Sequence, residues 1–211
     1  MAGMGARLLS SDDPASLDEA VRTLCLGGLV AFPTDTVYGL GAAATDAVAI
    51  ARIYRAKGRS EDKAISVLLS DIAQMRGIAR RPSASAMKLV RRFWPGPLTV
   101  IVRRNPTLSQ ELSHTDTIGL RIPDHPLALA LLRAGGPLAV TSANRSGGRS
   151  PRTAQEVFEA IGDQIDLILD GGTTPGGVPS TVVDCTSNPV KVLREGPIPA
   201  VKIFELLGRR P

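Results

Sequence analysis

The chain has 211 residues, enough for one large domain or two small ones. At 43% hydrophobic and 21% charged it has the balance of an ordinary globular protein, and it shows no apolar run with the length of a bilayer span or the form of a secretory leader. A net charge of +5, carried mostly by arginine, favours anionic partners such as nucleotides, phosphates or RNA, while an aromatic content of 3% argues against bases read by stacked rings. Two cysteines, Cys25 and Cys185, are too few for a disulfide framework or a cysteine metal cluster, and a reducing, cytoplasmic setting is expected.

Residues 1–12 carry no usable pattern and are expected to fray. A helix begins at Asp13-Pro14 or at Ser16, where Ser16-Leu17-Asp18-Glu19 reads as a capping box. Leu17, Ala20, Val21, Leu24 and Cys25 share one face, which assigns Cys25 to packing. Gly27-Gly28 ends that helix and leads into a buried strand, Leu29 to Phe32. A polar loop follows, Pro33-Thr34-Asp35-Thr36-Val37-Tyr38, and then Gly39-Leu40-Gly41. Polar side chains crowded beyond a strand end are where open α/β sheets place ligands.

Thr45 or Asp46 caps the next helix, which Gly58 stops, and Ile65 to Leu69 reads as a strand. A helix over 83–92 runs into Phe93-Trp94-Pro95-Gly96-Pro97, with Trp94 as a core or rim anchor, and then a strand over 98–102. Strands are expected at 117–122, 138–140, 167–169, 181–184 and 190–193, with helices at 126–133, 153–161 and 199–207. Thr153-Ala154-Gln155-Glu156 is a second capping box. Helices alternate with short apolar strands and no linker interrupts them, so 13–211 is read as a single α/β domain.

Several residues carry chemistry. Lys57-Gly58-Arg59 closes a helix whose last turns also bear Arg52 and Arg55, and Lys63 follows. These cations complement the helix dipole or else clamp a phosphate. Ser142 and Asn144 lie just past an apolar strand, either as a polar turn or as ligand donors. The Gly/Ser/Arg loop 145–152, with Ser150, has the composition of a closing segment. Thr117 and Arg121 share a strand face, and Ser180 and Arg194 add a late hydroxyl and cation. His114 and His125 lack a partner pattern, and neither a GxxxxGK[ST] loop nor a GxSxG elbow is present. Gly39 to Ala44 fits GxGxxA, but a dinucleotide fingerprint needs its glycines directly after the strand, and six residues intervene. Hydroxyls and cations without acid–base candidates suit phosphoryl or nucleotidyl transfer, where positioning and charge stabilisation suffice.

Taken together, Pro33-Thr34-Asp35-Thr36-Val37-Tyr38-Gly39-Leu40, Lys57-Gly58-Arg59, Trp94-Pro95-Gly96-Pro97-Leu98-Thr99, Val140-Thr141-Ser142-Ala143-Asn144 and Pro179-Ser180-Thr181 resemble the YrdC-like family, the threonylcarbamoyl-AMP synthases, in order and spacing from about Gly27 to Pro197. The resemblance implies an open, twisted mixed α/β sheet flanked by helices, with a large basic concave cavity. It implies that L-threonine, bicarbonate and ATP give threonylcarbamoyl-AMP and pyrophosphate, with Mg²⁺ accompanying the ATP and no metal ligand assigned to the protein. The product feeds a downstream threonylcarbamoyl transferase complex that modifies the anticodon-adjacent adenosine of tRNA.

Carried over by position, Thr36, Arg121 and Ser180 hold threonine, with Arg121 on its carboxylate. Lys57, Arg59, Lys63, Thr117, Ser142, Asn144, Ser150 and Arg194 fall on the ATP side, with Lys57 and Arg59 as catalytic cations and Gly39 and Gly41 as backbone hinges. Ser60 and Ala64 stand where many relatives have proline, which implies a looser segment, and Leu68 stands where some have a threonine-touching histidine. Longer relatives carry a second C-terminal domain, so the single-domain type is expected. The rival readings are an RNA-binding module of the same fold and a carbamoyl-transfer relative of hydrogenase-maturation proteins.

Overall fold

The computed structural model describes residues 5–175 and 177–208. Its elements in chain order are β1 (Arg7–Ser10), α1 (Ala15–Cys25), β2 (Val30–Phe32), β3 (Gly39–Ala43), α2 (Ala47–Lys57), β4 (Ser66–Leu68), α3 (Met75–Ile78) and α4 (Ala84–Phe93). They continue with β5 (Leu98–Arg103), β6 (Thr117–Arg121), α5 (Pro126–Gly135), β7 (Leu138–Ser142), α6 (Ala154–Ile161), β8 (Leu167–Asp170), β9 (Thr181–Asp184), β10 (Lys191–Arg194) and α7 (Ala200–Leu206). The strands form one mixed, open sheet in the order β1-β8-β2-β3-β7-β4-β6-β5-β9-β10.

Local sequence explains most of the boundaries. Asp46 accepts the N–H of Ala49 at 2.9 Å to start α2, and Gly58 ends it in the left-handed region at φ 57°. Ser83 and Thr153 cap α4 and α6 through their hydroxyls. Trp94 is buried, and its indole N–H donates to the Leu98 carbonyl at 2.8 Å.

Four readings are corrected. Residues 7–10 form the edge strand β1, parallel to β8; of the stretch expected to fray, residues 1–4 lie outside the described residues. The capping box at Ser16 is not used. Asp13 takes the N–H of Ala15 at 2.9 Å, the helix starts at Ala15, and Ser16 is buried inside the first turn. Cys25 is exposed, because the buried stripe runs through Ser16, Ala20, Thr23 and Leu24 and turns away from it. Gly39 and Gly41 are not loop hinges. They sit in β3, antiparallel to both β2 and β7.

The two glycines are needed for close packing within that strand. A Cβ on Gly39 would lie 2.7 Å from Val140 Cγ1, and one on Gly41 would lie 2.9 Å from Phe32 Cε1. Their backbone need is therefore an absent side chain rather than an unusual dihedral.

The sheet is covered unequally, and this creates the site. Side chains alternate along strands, so Ala31, Leu40, Ala139, Val67, Leu120, Val100 and Val183 face one way. There α2, α4, α6 and α7 bury them in the larger core. On the opposite face Val30, Phe32, Val140, Leu138, Leu167, Leu169 and Leu68 pack against α1 and α5. That second layer stops at Leu68. The same face continues through Gly119, Arg121, Thr99, Ile101 and Val182, where it lines a cavity.

Overpacking a close-packed core costs ~1–3 kcal/mol. Gly41→Ala is therefore expected to lower unfolding stability by that amount in a denaturant titration, with an unchanged m-value. An unchanged midpoint would show that Phe32 moves aside without cost.

Candidate functional site

The cavity has a volume of about 330 Å³ and is built where β4, β5, β6, β7 and β9 present their uncovered face. Loop 33–38 borders it on one side, and Pro179, Ser180 and Arg194 border it on another. Its charged lining is Arg59, Arg121 and Arg194; among the described residues no Asp, Glu, His or Cys lines it. Hydroxyls from Thr34, Thr36, Ser66, Thr99, Ser142 and Ser180 supply the rest of its polarity.

Arg121 is the most enclosed cation. Its Nε donates to the Gly96 carbonyl at 3.0 Å, Nη1 to Thr36 Oγ1 at 3.0 Å and Nη2 to Asp35 Oδ1 at 2.5 Å. Burial pulls it below the ordinary arginine range, opposed by the Asp35 carboxylate. Asp35 Oδ1 also accepts the N–H of Asp124 at 3.1 Å. The other carboxylate oxygen, Oδ2, is buried and finds no partner among the described residues.

Arg194 donates from Nε to the Ser180 carbonyl at 3.0 Å, and Ser180 Oγ lies 2.8 Å from Thr99 Oγ1. Arg59 turns back on its own loop, donating to the carbonyls of Lys63 at 3.1 Å and Ala64 at 2.9 Å. These contacts leave donors of all three guanidinium groups free for an anion.

Of the residues singled out from sequence, Thr36, Arg59, Arg121, Ser142, Ser180 and Arg194 line this one cavity. Lys57, Lys63, Thr117, Asn144 and Ser150 lie outside its lining. Lys57 is buried at the end of α2, and its ammonium donates to the carbonyls of Ser142 and Asn144. Asn144 ties its own loop through Nδ2 to the carbonyls of Arg145 and Gly148, each at 2.7 Å, while its Oδ1 is buried without a partner among the described residues. Lys63 is exposed, Ser150 is half-buried, and Thr117 pairs with the Thr115 hydroxyl at 2.9 Å. Leu68 lines the cavity.

Sequence reading missed Thr34, Ser66 and Thr99. The signal for Thr99 was strand alternation with Ile101, and for Thr34 it was its place two residues before Thr36.

An α/β sheet with one face left open over guanidinium and hydroxyl groups defines a class of site suited to a small anionic ligand. Residues 22–196 match the family described as Sua5_yciO_yrdC, telomere recombination, and the chain belongs to that family. A Mycobacterium tuberculosis relative is 41% identical over 190 residues, covering 90% of this chain and 88% of its own. The threonylcarbamoyl-AMP synthase of Bacillus subtilis is 42% identical over 203 residues, covering 95% of this chain. Among solved structures, that of Pyrococcus abyssi Sua5 complexed with L-threonine superposes with a TM-score of 0.92 at 37% identity over 98% of this chain. The chain spans 58% of the Bacillus protein and 62% of the Pyrococcus chain.

Lys57 makes the site sensitive to pH. Burial, with Arg59 beside it, lowers its ammonium to about 8, from an unfolded value of ~10.4. The unfolded chain thus binds the extra proton between those two values, and the cost of burying the charge, fully present below pH 8, lifts as pH rises through that window. Wild type is expected to gain thermal stability relative to Lys57→Met between pH 7.5 and ~10. Parallel melting-temperature curves for the two proteins would refute this.

Proposed function

We propose that this protein is a threonylcarbamoyl-AMP synthase that joins L-threonine, bicarbonate and ATP. The observation that carries the reading is the cavity lining: three arginines among hydroxyls, with no acid–base side chain among the described residues. Such a site holds polyanions in position and does little proton chemistry itself.

The threonine amine and bicarbonate first give the N-carboxylate with loss of water. A carbamate oxygen then attacks the α-phosphorus of ATP, the bond from that phosphorus to the bridging oxygen breaks, and pyrophosphate leaves. This is nucleotidyl transfer without a covalent enzyme intermediate. In this reading Arg121, Thr36 and Ser180 hold the amino acid, and Arg59, Arg194 and Ser142 face the nucleotide. The arginines offset the charge that builds on the leaving pyrophosphate, and their effect is amplified because the wall brings no competing carboxylate.

Lys57 acts at one remove. Its contacts to the Ser142 and Asn144 carbonyls fix the end of β7, with the remaining N–H available to phosphate. Lys63, Thr117, Asn144 and Ser150 join the nucleotide side only if loops 59–64 and 145–152 close on ATP. Among the described residues no three of His, Cys, Asp and Glu gather as a metal-holding group. In this reading Mg²⁺ enters with ATP, as the counter-ion of the triphosphate and part of the substrate.

No helix among the described residues is long and apolar enough to cross a membrane. The labile adenylate is handed to a threonylcarbamoyl transferase complex that modifies the anticodon-adjacent adenosine of tRNA.

Incubation with ATP, labelled bicarbonate and L-threonine should release pyrophosphate and a labelled adenylate only when threonine is present. Pyrophosphate release indifferent to threonine, with RNA affinity that falls steeply with salt, would favour the RNA-binding reading instead. Arg59→Ala should lower kcat by ~10²–10³ at unchanged stability, as for a lost transition-state donor. Lys57→Ala should lower both kcat and melting temperature. A wild-type rate in Arg59→Ala would return that residue to a role in its loop.

A further inference from the structure

A second cavity, of about 300 Å³, lies outside the site described above, and Arg80, Arg103, Arg104, Gln110 and Asp116 line it. Strand pairing builds it. Past the end of β9, residues 79 and 80 take that strand's place beside β5: the Arg80 N–H donates to the Arg103 carbonyl at 2.7 Å, and Ala79 bridges to Arg104. On the other side of β5 the Arg104 N–H donates to the Asp116 carbonyl at 2.9 Å. Three guanidinium groups and one carboxylate are thereby gathered at one end of the sheet. Arg103 follows Ile101, a wall of the first cavity, by two residues on the same face, so the two lie roughly 7 Å apart along the strand.

These charges have no use inside the chain. Arg80 and Arg103 are exposed, and among the described residues neither guanidinium has a hydrogen-bond or ion-pair partner. Arg104 is half-buried and anchored, with Nε on the Thr115 carbonyl at 2.8 Å and Nη1 on the Leu108 carbonyl at 2.9 Å, and its remaining N–H donors are unspent. Asp116 lines the same cavity but forms no ion pair with any of the three. A solvated surface accounts for two exposed arginines. It does not account for a third, locked by two carbonyls in the same concavity, with a carboxylate left unpaired among them.

We infer that this cavity is a second binding site, for a ribose phosphate, with the phosphate on Arg80, Arg103 and Arg104 and a sugar hydroxyl on Asp116. A phosphate brings acceptors and charge, which suit guanidinium donors. A bare anion would still be repelled by Asp116, and an ammonium would be repelled by the three arginines. A ligand that joins an anionic group to a neutral donor uses both parts of the wall, and a ribose phosphate has that form. The ligand is a free ribonucleotide or one unit of an RNA strand, since the group recognised is the same in both. The site stands apart from the synthase reading, and the failure of that reading would leave it untouched.

The test compares wild type, the double variant Arg80→Gln/Arg103→Gln, and Asp116→Ala. The probes are labelled AMP in equilibrium dialysis, and a short single-stranded RNA and the DNA of the same sequence in fluorescence anisotropy. The two replaced arginines have no internal partners and lie outside the first cavity, so the double variant should melt with wild type and keep threonine-dependent pyrophosphate release within about twofold. If the source is a free nucleotide, wild type should bind one more equivalent of AMP than the double variant. If it is RNA, AMP binding should match, while RNA affinity falls at least ~10-fold and the slope of log affinity on log salt drops by about 1.4, for two cations on a single strand. For whichever source binds, wild type should favour the hydroxylated ligand, AMP over 2′,3′-dideoxy-AMP or RNA over DNA, by at least ~10-fold, and Asp116→Ala should lose that preference.

Unchanged AMP stoichiometry together with unchanged RNA affinity in the double variant would leave a solvated arginine face only and reject the site. A preference that survives in Asp116→Ala rejects the hydroxyl assignment, and a parallel loss of pyrophosphate release rejects a site separate from the first cavity. If the double variant melts below wild type, Arg80→Gln and Arg103→Gln must each show the loss singly; two silent single variants overturn the inference.

Discussion

The site depends on keeping one guanidinium charged while almost out of water. Stripping water from a cation is costly, and the cost is recovered only where its donors and its charge are met. Arg121 on β6 is met by three groups from two pieces of chain: Asp35 and Thr36 from the loop after β2, and the Gly96 carbonyl from the turn before β5. The planar fork of arginine serves these three partners and still keeps two N–H groups, which the three donors of a lysine could not do. The polar loop is thus held to the sheet by the same group that lines the cavity. A cavity-lining residue and a structural tie are one side chain here.

The second constraint is the unequal covering of the sheet. Four helices close one face, while α1 and α5 close only part of the other. The exposed remainder is still a strand surface, so its side chains are aimed at right angles to a rigid layer and spaced by the pleat. That gives Arg121, Thr99 and Ser66 fixed positions without loop ordering. Lys57 adds a strut from the end of α2 to the end of β7, taking up carbonyls that the strand can no longer pair. Its lowered pKa is the consequence of that burial.

What the sequence makes legible follows from which signals are local. Caps, the glycine at the end of α2 and the apolar runs of the inner strands depend on near neighbours, and Asp46, Gly58 and Thr153 act as expected. β1 escaped notice because an edge strand has no alternation to display: Arg7, Leu8 and Ser10 are exposed, and only its pairing with β8 defines it. Gly39 and Gly41 misled for a related reason. Two glycines beside a polar loop look like more loop, and only Phe32 and Val140, brought across by strand pairing, show what the missing side chains make room for. Of the motif residues, Thr36, Arg59, Arg121, Ser142, Ser180 and Arg194 share one cavity, but nothing in the motifs names their partners. Nothing local says that Asp35 belongs to Arg121, eighty-six residues away.

That pairing also distinguishes the two ends of the cavity. Arg121 is matched by the Asp35 carboxylate, so together they present donors with little net charge. Arg59 and Arg194 have only carbonyl and hydroxyl partners, and among the described residues no carboxylate ion-pairs with them. A matched pair suits a zwitterion, which brings one charge of each sign, whereas an unmatched pair suits a polyanion. Coulomb repulsion between Arg121 and Arg194 further resists bringing a third unpaired cation inward. The position of one aspartate, outside the cavity lining, therefore separates a charge-matched end of the cavity from an unmatched one.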